Sequence, residues 1–269
     1  MRRMRFLGVA IFAAIAFGAI TASGAQAGVV GLCVKAPKEG KHYVGAFTDK
    51  LCTKEATKTE FEEGKHNKYT FEEAKEVPYT SIGGPAALKG ALGTISCESN
   101  TDVGKFINGR MGEDMFTFHG CTLSTTGGKC GTAGVIVTNT LTTHLIDHGE
   151  KGDSGKEPAE KEAWVDLEGT EGKPLAEFEC EPGIKIKVTG SVSGKIGPLD
   201  VQTKAGKEGK KPKYSFELEF KAGVAEQDLI AEGCGALVKE LTGMECVSAP
   251  SAQEGSGGML LKEKKYEII

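Results

Sequence analysis

A short stretch, HGCTLSTTGGKC, holds one histidine and two cysteines within twelve residues, from His119 to Cys130. These residue types are zinc ligands, but the spacing lacks the C-x2-C pattern of zinc knuckles and no fourth ligand lies nearby. The residues between Cys121 and Cys130 are turn formers, and Gly127 and Gly128 permit the positive φ angles of a tight return. We therefore expect a disulfide-closed turn here and no metal site.

The sequence THLIDHG is a second candidate for metal binding, because His144 and His148 lie four residues apart with Asp147 between them. On a helix this spacing would place both imidazoles on one face. On a strand the two side chains share a face but lie about 13 Å apart, which is too far for one ion. Leu145 also stands where a metalloprotease would need its glutamate. We expect one histidine in a strand and one in a loop, with no metal and no cofactor.

The segment GDSGK, residues 152–156, is similar to the nucleophile loop of chymotrypsin-like proteases. That family places its histidine far upstream in a separate barrel, whereas here the nearby histidines belong to the same short segment. Ser154 also falls within the most polar loop of the chain, which offers no scaffold for an oxyanion hole. We therefore expect no serine nucleophile and no catalytic residue in this segment.

Carboxylates and one aromatic residue support weaker alternatives. A glycosidase needs two carboxylates across a cleft, and glutamates are paired at 62–63 and 217–219. Alternating glutamates on a strand are typical of its solvent face, so we expect these pairs to be exposed. A sugar-binding module needs a flat aromatic platform, but the single tryptophan, Trp164, stands in AWVDL, a pattern more typical of a core position. Three loop carboxylates lack the regular spacing of a calcium loop: Asp147, Glu150 and Asp153.

The first 27 residues have the three parts of a secretory signal peptide: a basic head, an apolar run of fifteen residues and a small-residue AQA site. We expect cleavage after Ala27. The apolar run is shorter than the roughly 20 residues of a membrane-spanning helix, so we expect no membrane contact after cleavage. Cys33 lies beyond the cleavage site and does not fit a lipoprotein anchor. The predicted location is extracellular or at the cell surface.

The chain has an even number of cysteines, eight, which in an oxidising compartment predicts a set of disulfides. Eight cysteines allow many connectivities, so the sequence alone leaves the pairing open. In the chain-entropy model each closure stabilises the fold by roughly 2.5 to 4.5 kcal/mol. Local loop closure favours four pairs: Cys33 with Cys52, Cys121 with Cys130, Cys234 with Cys246 and, by remainder, Cys97 with Cys180.

The charge balance argues against two classes of partner. The whole chain carries a net charge of −4, and removal of Arg2, Arg3 and Arg5 with the leader leaves 30 basic against 37 acidic residues, a charge of −7. Nucleic acids and anionic lipids bind through positive patches, so we expect neither as a partner. The lysine cluster at 204–213 is interrupted by glycine and glutamate and is typical of a solvated loop. The partner is therefore unknown, with cell-wall or glycan contact as the candidate.

Composition and periodicity predict an all-β fold. The chain has 38 glycines and 7% aromatic residues, a composition that favours many short strands joined by glycine turns. Apolar residues alternate with lysines in IKIKV, 184–188, and Phe216, Leu218 and Phe220 share one face of YSFELEF. No stretch supplies the regular crossover helices of a parallel sheet. We expect an antiparallel sandwich or irregular barrel of roughly nine to thirteen strands, stabilised by disulfides.

The chain is predicted to have three parts. Residues 1–27 form the leader, residues 28–75 an N-terminal disulfide hairpin and polar linker, and residues 76–269 the main β domain. In the N-terminal part, VVGLCVKA and HYVGAFTDKLC are two strand-like pieces that the Cys33–Cys52 bridge would hold as the hairpin.

Local patterns predict several elements of the main domain. From Tyr79 onwards, strand-length pieces separated by Gly or Asn-Gly indicate an antiparallel meander. We expect a strand break near Asn139, a short helix around 236–241 and a closing strand after a Ser/Gly/Pro loop. The charged segment 147–162 can bury almost nothing and is predicted to be a solvent loop.

The chain resembles a group of exported proteins of unknown function that occur in many copies in soil actinobacteria. The resemblance covers most of the mature chain and depends on a set of motifs: LCVKA, LCTKEA, TSIGGPAALKGALGTISCESNTDVGKF, FHGC, GGKC and LAEFECEPGIKIKVTGSVSGKI. It implies a secreted β-rich domain with recurring cysteines and no assigned activity, and it supplies no catalytic residue. The acidic loop at 147–162 and the pair Cys234 and Cys246 depart from the pattern of that group.

These observations favour a non-enzymatic extracellular or cell-surface β protein whose binding activity is unknown. This hypothesis predicts no cluster of deeply buried titratable residues. The alternatives are a secreted hydrolase, which needs two carboxylates or a histidine with an acid or serine in one pocket, and a carbohydrate-binding module acting on wall or environmental polysaccharide. The latter needs Trp164 and tyrosines exposed on one surface.

Overall fold

A computed structural model describes residues 29–63, 67–147, 163–197, 216–221, 227–261 and 266–268. These residues form eighteen strands, two α helices and one 3-10 turn, so the predicted all-β class is confirmed. The prediction of nine to thirteen strands is wrong, because five two-residue strands accompany the longer ones. The strands, in chain order, are β1 (Val30–Lys35), β2 (Lys38–Glu39), β3 (His42–Tyr43), β4 (Tyr69–Glu73), β5 (Val77–Gly90), β6 (Gly93–Cys97), β7 (Ser99–Phe106), β8 (Met111–His119), β9 (Thr122–Leu123), β10 (Ile136–Val137), β11 (Leu141–Asp147), β12 (Ala163–Gly169), β13 (Ala176–Cys180), β14 (Ile184–Gly197), β15 (Phe216–Phe220), β16 (Asp228–Cys234), β17 (Cys246–Leu260) and β18 (Glu267–Ile268). The helices are α1 (Lys58–Glu63) and α2 (Ala236–Thr242), and the 3-10 turn is Thr170–Gly172.

Eight antiparallel strands close into a barrel. The ring runs β5, β7, β8, β11, β12, β14, β15 and β17, and β17 pairs back with β5. At the other end of the barrel, β16 takes the place of β15 between β14 and β17. Of the two predicted architectures, the structure therefore has the irregular barrel.

The longest strands also change partners along their length. Along β14, residues before Gly190 pair with β13 and residues after it pair with β12. Gly190 has a φ of +99°, and a Cβ atom there would lie 1.7 Å from the carbonyl oxygen of Asp228. Only glycine fits that position, since it combines a left-handed backbone with close approach of a neighbouring strand. In β17 the register shifts between Gly255 and Gly257.

Side-chain alternation places the core inside the barrel. Ile184, Ile186 and Val188 are buried while the lysines between them are exposed, as the sequence predicted. On β15 Phe216 is buried, and Leu218 and Phe220 are half-buried members of the same core. Burial of these alternating side chains is the main driving force for closure, because it removes one face of every strand from water.

A separate three-stranded sheet packs beside the barrel, in the order β18, β1, β4. The predicted hairpin between β1 and the following strand-like piece is wrong, because β1 pairs with β4 and β18 while β3 pairs with β2. Its contact with the barrel includes a hydrogen bond of 2.8 Å from Val30 N to the carbonyl oxygen of Gly109, in the turn between β7 and β8. The C-terminal strand β18 therefore belongs with this sheet.

Four disulfides join all eight cysteines, and two of the expected pairs are confirmed: Cys33–Cys52 and Cys234–Cys246. The other two expected pairs are wrong, because Cys97 bonds to Cys121 and Cys130 bonds to Cys180. Four disulfides in one chain suggest an oxidising, extracellular setting.

The predicted tight return between Cys121 and Cys130 does exist, but it does not join their sulfurs. Cys130 N donates to the carbonyl oxygen of Cys121 over 3.0 Å, and Gly127 adopts a φ of +68° in the turn. Each sulfur bonds instead to a cysteine on the other side, Cys97 on β6 or Cys180 on β13. A turn fixes which backbones meet, whereas the neighbouring strands decide which sulfurs meet.

Other local predictions have mixed outcomes. The short helix is present as α2, and the strand break near Asn139 separates β10 from β11. The prediction of a loop in the Ser/Gly/Pro segment is wrong, because this segment forms the middle of β17 and pairs with β5 and β16. Most of the charged segment 147–162 lies outside the described residues, as does the lysine cluster at 204–213. Among the helices that the structure describes, none is long and apolar enough to cross a membrane.

Candidate ligand-binding site

The barrel encloses a cavity of about 120 Å³ between its inward-facing side chains. Eight strands leave an interior just wide enough to be filled by side chains or to hold one small ligand. The volume is similar to the roughly 150 Å³ of a known apolar cavity that binds benzene. Exposed residues also line the cavity, among them Arg110 in the β7–β8 turn and Met111 at the start of β8. They indicate where the cavity approaches the surface.

The two halves of the barrel present different chemistry to this cavity. One half, the polar wall, consists of β5, β7, β8 and β11, and the other half, the apolar wall, consists of β12, β14, β15 and β17. Polar side chains of the first half line the cavity: Tyr79, Ser81, Asp102, Asp114 and Thr143. The second half contributes mainly apolar side chains, and Gln253 and Ser256 of β17 are its polar members; the apolar ones include Val165, Leu167, Val192, Ile196, Leu218 and Met259.

Asp114 is the centre of the polar wall. Its side chain is 4% exposed and accepts two hydrogen bonds, one over 2.5 Å from the Tyr79 hydroxyl to Oδ1 and one from the Thr143 hydroxyl to Oδ2. Tyr79 is itself fixed by packing of its ring on Phe106, with 4.8 Å between the centroids. Side chains of β5 and β11 thus hold the Asp114 carboxyl group of β8 in a defined orientation.

Asp102 lies beside Asp114 on the neighbouring strand. It is 3% exposed, and its Oδ2 atom accepts a hydrogen bond of 3.4 Å from the Ser81 hydroxyl. Its Oδ1 atom is buried and has no hydrogen-bond partner in the described part of the chain. A buried acceptor without a donor is costly, so this oxygen is the unsatisfied point of the site.

Burial governs the protonation of this group of residues. Burial raises the pKa of Asp102 to about 9, and the charge of Asp114 and a hydrogen bond with it add to the rise. Burial also raises the pKa of Asp114, while hydrogen bonds from Thr143, Tyr79 and Asp102 oppose that rise. Burial and the two nearby carboxyl groups place the pKa of Tyr79 well above its usual value. At neutral pH Asp102 is therefore protonated, and Asp114 is the member of the pair that ionises more readily.

The expectation that the barrel would hold no cluster of deeply buried titratable residues is wrong. Sequence reasoning missed both aspartates because hydrophobicity suggests the opposite phase for these strands. Val103 and Met115 lie opposite each other on β7 and β8 and point outward, 60% and 41% exposed, while the acidic residues beside them point inward. The aromatic residues Phe106 and Phe116 share the inward face with the aspartates and were the available signal.

The histidine and cysteine candidates that the structure describes have other partners or lie apart. Cys121 and Cys130 are engaged in separate disulfides, and His119 is half-buried at the end of β8. His144 Nε2 lies 3.2 Å from Glu168 Oε1 at the barrel exterior, where both side chains are more than a third exposed. His148 lies outside the described residues. No group of three or more potential ligands capable of holding a metal occurs in the described ranges.

The remaining candidates are spread over the molecule. Glu217 is exposed and Glu219, also exposed, lies 3.2 Å from Lys221 Nζ, which confirms a solvent face for that pair. Trp164 is half-buried on the outer face of β12, so its predicted core position is wrong, and Tyr79 and Tyr266 are buried elsewhere. Glu150, Asp153 and Ser154 lie outside the described residues. For Glu62, Glu63 and Asp147 the structure describes the backbone but not the side chain.

Neither a protein-family model, nor a curated protein, nor a solved structure matches this chain. The function therefore has to be inferred from the cavity and its two walls.

Proposed function

We propose that this protein is a non-enzymatic extracellular binding protein that holds a small, mainly apolar molecule inside its barrel. The single observation that carries the proposal is the 120 Å³ cavity, bounded on one side by aliphatic side chains and on the other by an oriented polar group. Binding sites of this kind combine an apolar lining, which supplies affinity, with a few polar groups, which fix orientation. The proposal gives the loops no role in recognition.

The packing of the walls supports this proposal. Leu167 and Val165, from the apolar wall, are 3% and 4% exposed, so an apolar ligand beside them would be removed from water almost completely. Transfer of apolar surface out of water contributes roughly 25 cal/mol per Å². For a benzene-sized molecule this supports weak to moderate affinity, consistent with a carrier or sensor of a small compound.

A titration with toluene tests the proposal. We expect saturable binding at one site by calorimetry and a rise in melting temperature, since a ligand that binds only the folded state stabilises it. Val165→Phe adds bulk to the cavity and should weaken toluene binding at least tenfold. Val103→Phe adds the same bulk on the exterior, where the native side chain is 60% exposed, and should change binding less than twofold. Equal binding by both variants would contradict an interior site.

A second candidate function is hydrolysis of a small substrate, and the pair of buried carboxyl groups at Asp102 and Asp114 is the observation that favours it. A protonated acid beside an ionisable partner is the arrangement that acid–base hydrolysis requires. Polysaccharide is a poor substrate for it, because both groups are at most 4% exposed and a sugar chain needs an open cleft. Turnover of small nitrophenyl esters or glycosides that is lost in Asp102→Asn would favour this candidate over simple binding.

We also propose that the protein is exported, as its leader sequence and its resemblance to secreted actinobacterial proteins predict. The four disulfides support this proposal, because such bonds persist in oxidising compartments. N-terminal sequencing of the protein from the culture medium should give a chain that begins at Gly28. Retention of the intact chain inside the cell would contradict export.

A further inference from the structure

The polar wall carries two buried carboxyl groups, Asp102 and Asp114, beside the cavity. In the part of the chain that the structure describes, no salt bridge involves Asp102 or Asp114. Arg110 is the one cationic side chain in the cavity lining, and it is exposed in the β7–β8 turn with no ion pair to either carboxyl group. A buried carboxylate without a counterion is unfavourable, because its hydration has been lost without compensation.

One buried hydrogen-bond acceptor of the polar wall also has no donor among the described residues. Asp114 receives the hydroxyl groups of Tyr79 and Thr143, and Asp102 Oδ2 receives that of Ser81. Asp102 Oδ1 receives none of the described donors, although Asp102 lines the cavity. A hydrogen-bond donor on a molecule in the cavity could satisfy this oxygen.

We propose that the molecule bound in the barrel carries one protonated amine on an apolar body of about benzene size, and that Asp102 Oδ1 and the Asp114 carboxyl group bind this amine. This inference rests on the proposed binding function. An ammonium group offers three donors and one positive charge, so it can donate to Oδ1 and provide a counterion when one of the two carboxyl groups is ionised. A hydroxyl group supplies only the donor, and a carboxylate supplies neither.

The apolar wall fits the remainder of such a ligand. With the amine at Asp102 and Asp114, the rest of the molecule faces Val165, Leu167 and Val192 on the other half of the ring. These side chains are at most 4% exposed and carry no polar atom, so they would pack against the apolar body of the ligand. The inferred ligand class is therefore a small amphipathic amine with a single charged end.

Four isosteric probes test the inference on the full-length mature protein: toluene, benzyl alcohol, benzylamine and benzoate. At pH 7 we expect benzylamine to bind at least tenfold more tightly than benzyl alcohol, since a hydrogen bond to a charged group is stronger than a neutral one. Benzoate should bind most weakly. Asp102→Asn and Asp114→Asn should each weaken benzylamine binding about tenfold and leave toluene binding within twofold, while Asp228→Asn, at an exposed aspartate, should change neither.

The outcomes separate this inference from the proposed function. Saturable toluene binding without a preference for benzylamine would overturn the amine inference and leave the interior binding site intact. Failure of all four probes to bind would overturn both. A benzylamine preference that survives in both aspartate variants would place the amine elsewhere and also overturn the inference. If either variant does not fold, the order of affinities in the unmodified protein still decides the question.

Discussion

The polar wall and the apolar wall are built from the same kind of strand, but their inward side chains are stabilised by different interactions. On the apolar wall most inward residues are apolar and are buried by packing, as Ile196 at 1% exposure shows. On the polar wall Asp114 is equally buried, and neighbouring hydroxyl groups hold it. The difference shows that this barrel can bury a carboxyl group where nearby strands supply donors.

The largest expected effect comes from moving a carboxylate to the wrong wall. Val165→Asp places an acidic group among aliphatic side chains without a donor, so it should destabilise the protein by more than about 4 kcal/mol or prevent folding. The matched control, Val137→Asp, alters a side chain that is 48% exposed and should fold with stability close to the native protein. Chemical denaturation measures both, and a stable Val165→Asp protein would erase the distinction between the walls.

Removal of packing from the apolar wall should have the next largest effect. Leu167→Ala takes away a side chain that is 3% exposed and enlarges the cavity, at an expected cost of about 2 to 5 kcal/mol. Leu241→Ala, on the exposed face of α2, is the control and should cost well under 1 kcal/mol. Comparable urea midpoints for the two variants would mean that the apolar wall does not stabilise the barrel.

The polar wall should instead make stability depend on pH. Because the pKa of Asp102 rises from 3.8 in the unfolded chain to about 9, the folded state binds more protons between these values. Stability is therefore greatest below pH 4 with respect to this group, and it falls as pH rises towards 9 by at most about 1.4 kcal/mol per unit.

Asp102→Asn should remove most of this pH dependence, since asparagine resembles the protonated acid and does not titrate. Above pH 7 the variant should be more stable than the native protein, whereas Asp228→Asn should follow the native curve. Thermal unfolding between pH 5 and 9 measures the slopes. Parallel curves for the native protein and Asp102→Asn would show that Asp102 is not held in its protonated form.

Loss of one donor on the polar wall should have a smaller effect. Tyr79→Phe removes the hydroxyl group that donates to Asp114 and should cost about 1 to 3 kcal/mol, because a buried acceptor is left unsatisfied. Tyr69→Phe, at a half-buried tyrosine of the separate sheet, is the control and should be nearly neutral. If Tyr79→Phe is also neutral by denaturation, the hydroxyl does not contribute to holding Asp114.

The smallest expected effect tests the orientation of the polar wall itself. Val103→Thr should change stability by less than about 0.5 kcal/mol, because Val103 is 60% exposed on the barrel exterior. Val192→Thr, a matched change on the apolar wall at 4% exposure, should cost more than about 1 kcal/mol, since its hydroxyl group would be buried there. A large cost for Val103→Thr would mean that β7 has the opposite phase.

The sequence predicted the buried faces of β14 and β15, but it predicted neither the middle of β17 nor the inward face of the polar wall. Where apolar residues alternate with lysine, as around Ile186, hydrophobicity defines the buried face without ambiguity. On β7 and β8 valine and methionine alternate with aspartate, and the aspartates accept hydrogen bonds from β5 and β11, which only strand pairing brings near. Tyr79 and Thr143 are distant in the chain from Asp102, so no local pattern could have joined them.

The disulfides illustrate the same limit. A disulfide that closes a short loop, such as Cys234–Cys246 on adjacent strands, can be predicted from the spacing of the cysteines along the chain. Cys121 and Cys130 are even closer in sequence, but each lies next to a more distant strand that supplies its partner. The all-β class could therefore be predicted from alternation and glycine content, whereas the connectivity and the candidate site required the barrel topology.

The most direct test of the account is methyl NMR of the labelled protein during a titration with toluene. We expect chemical-shift changes at methyl groups that line the cavity, those of Val165, Leu167 and Val192. The exterior methyl groups of Ile82, Val103 and Val137, which are 48 to 60% exposed, should not shift. Shifts confined to these exterior residues, or no saturable shift at any methyl group, would contradict an interior binding site.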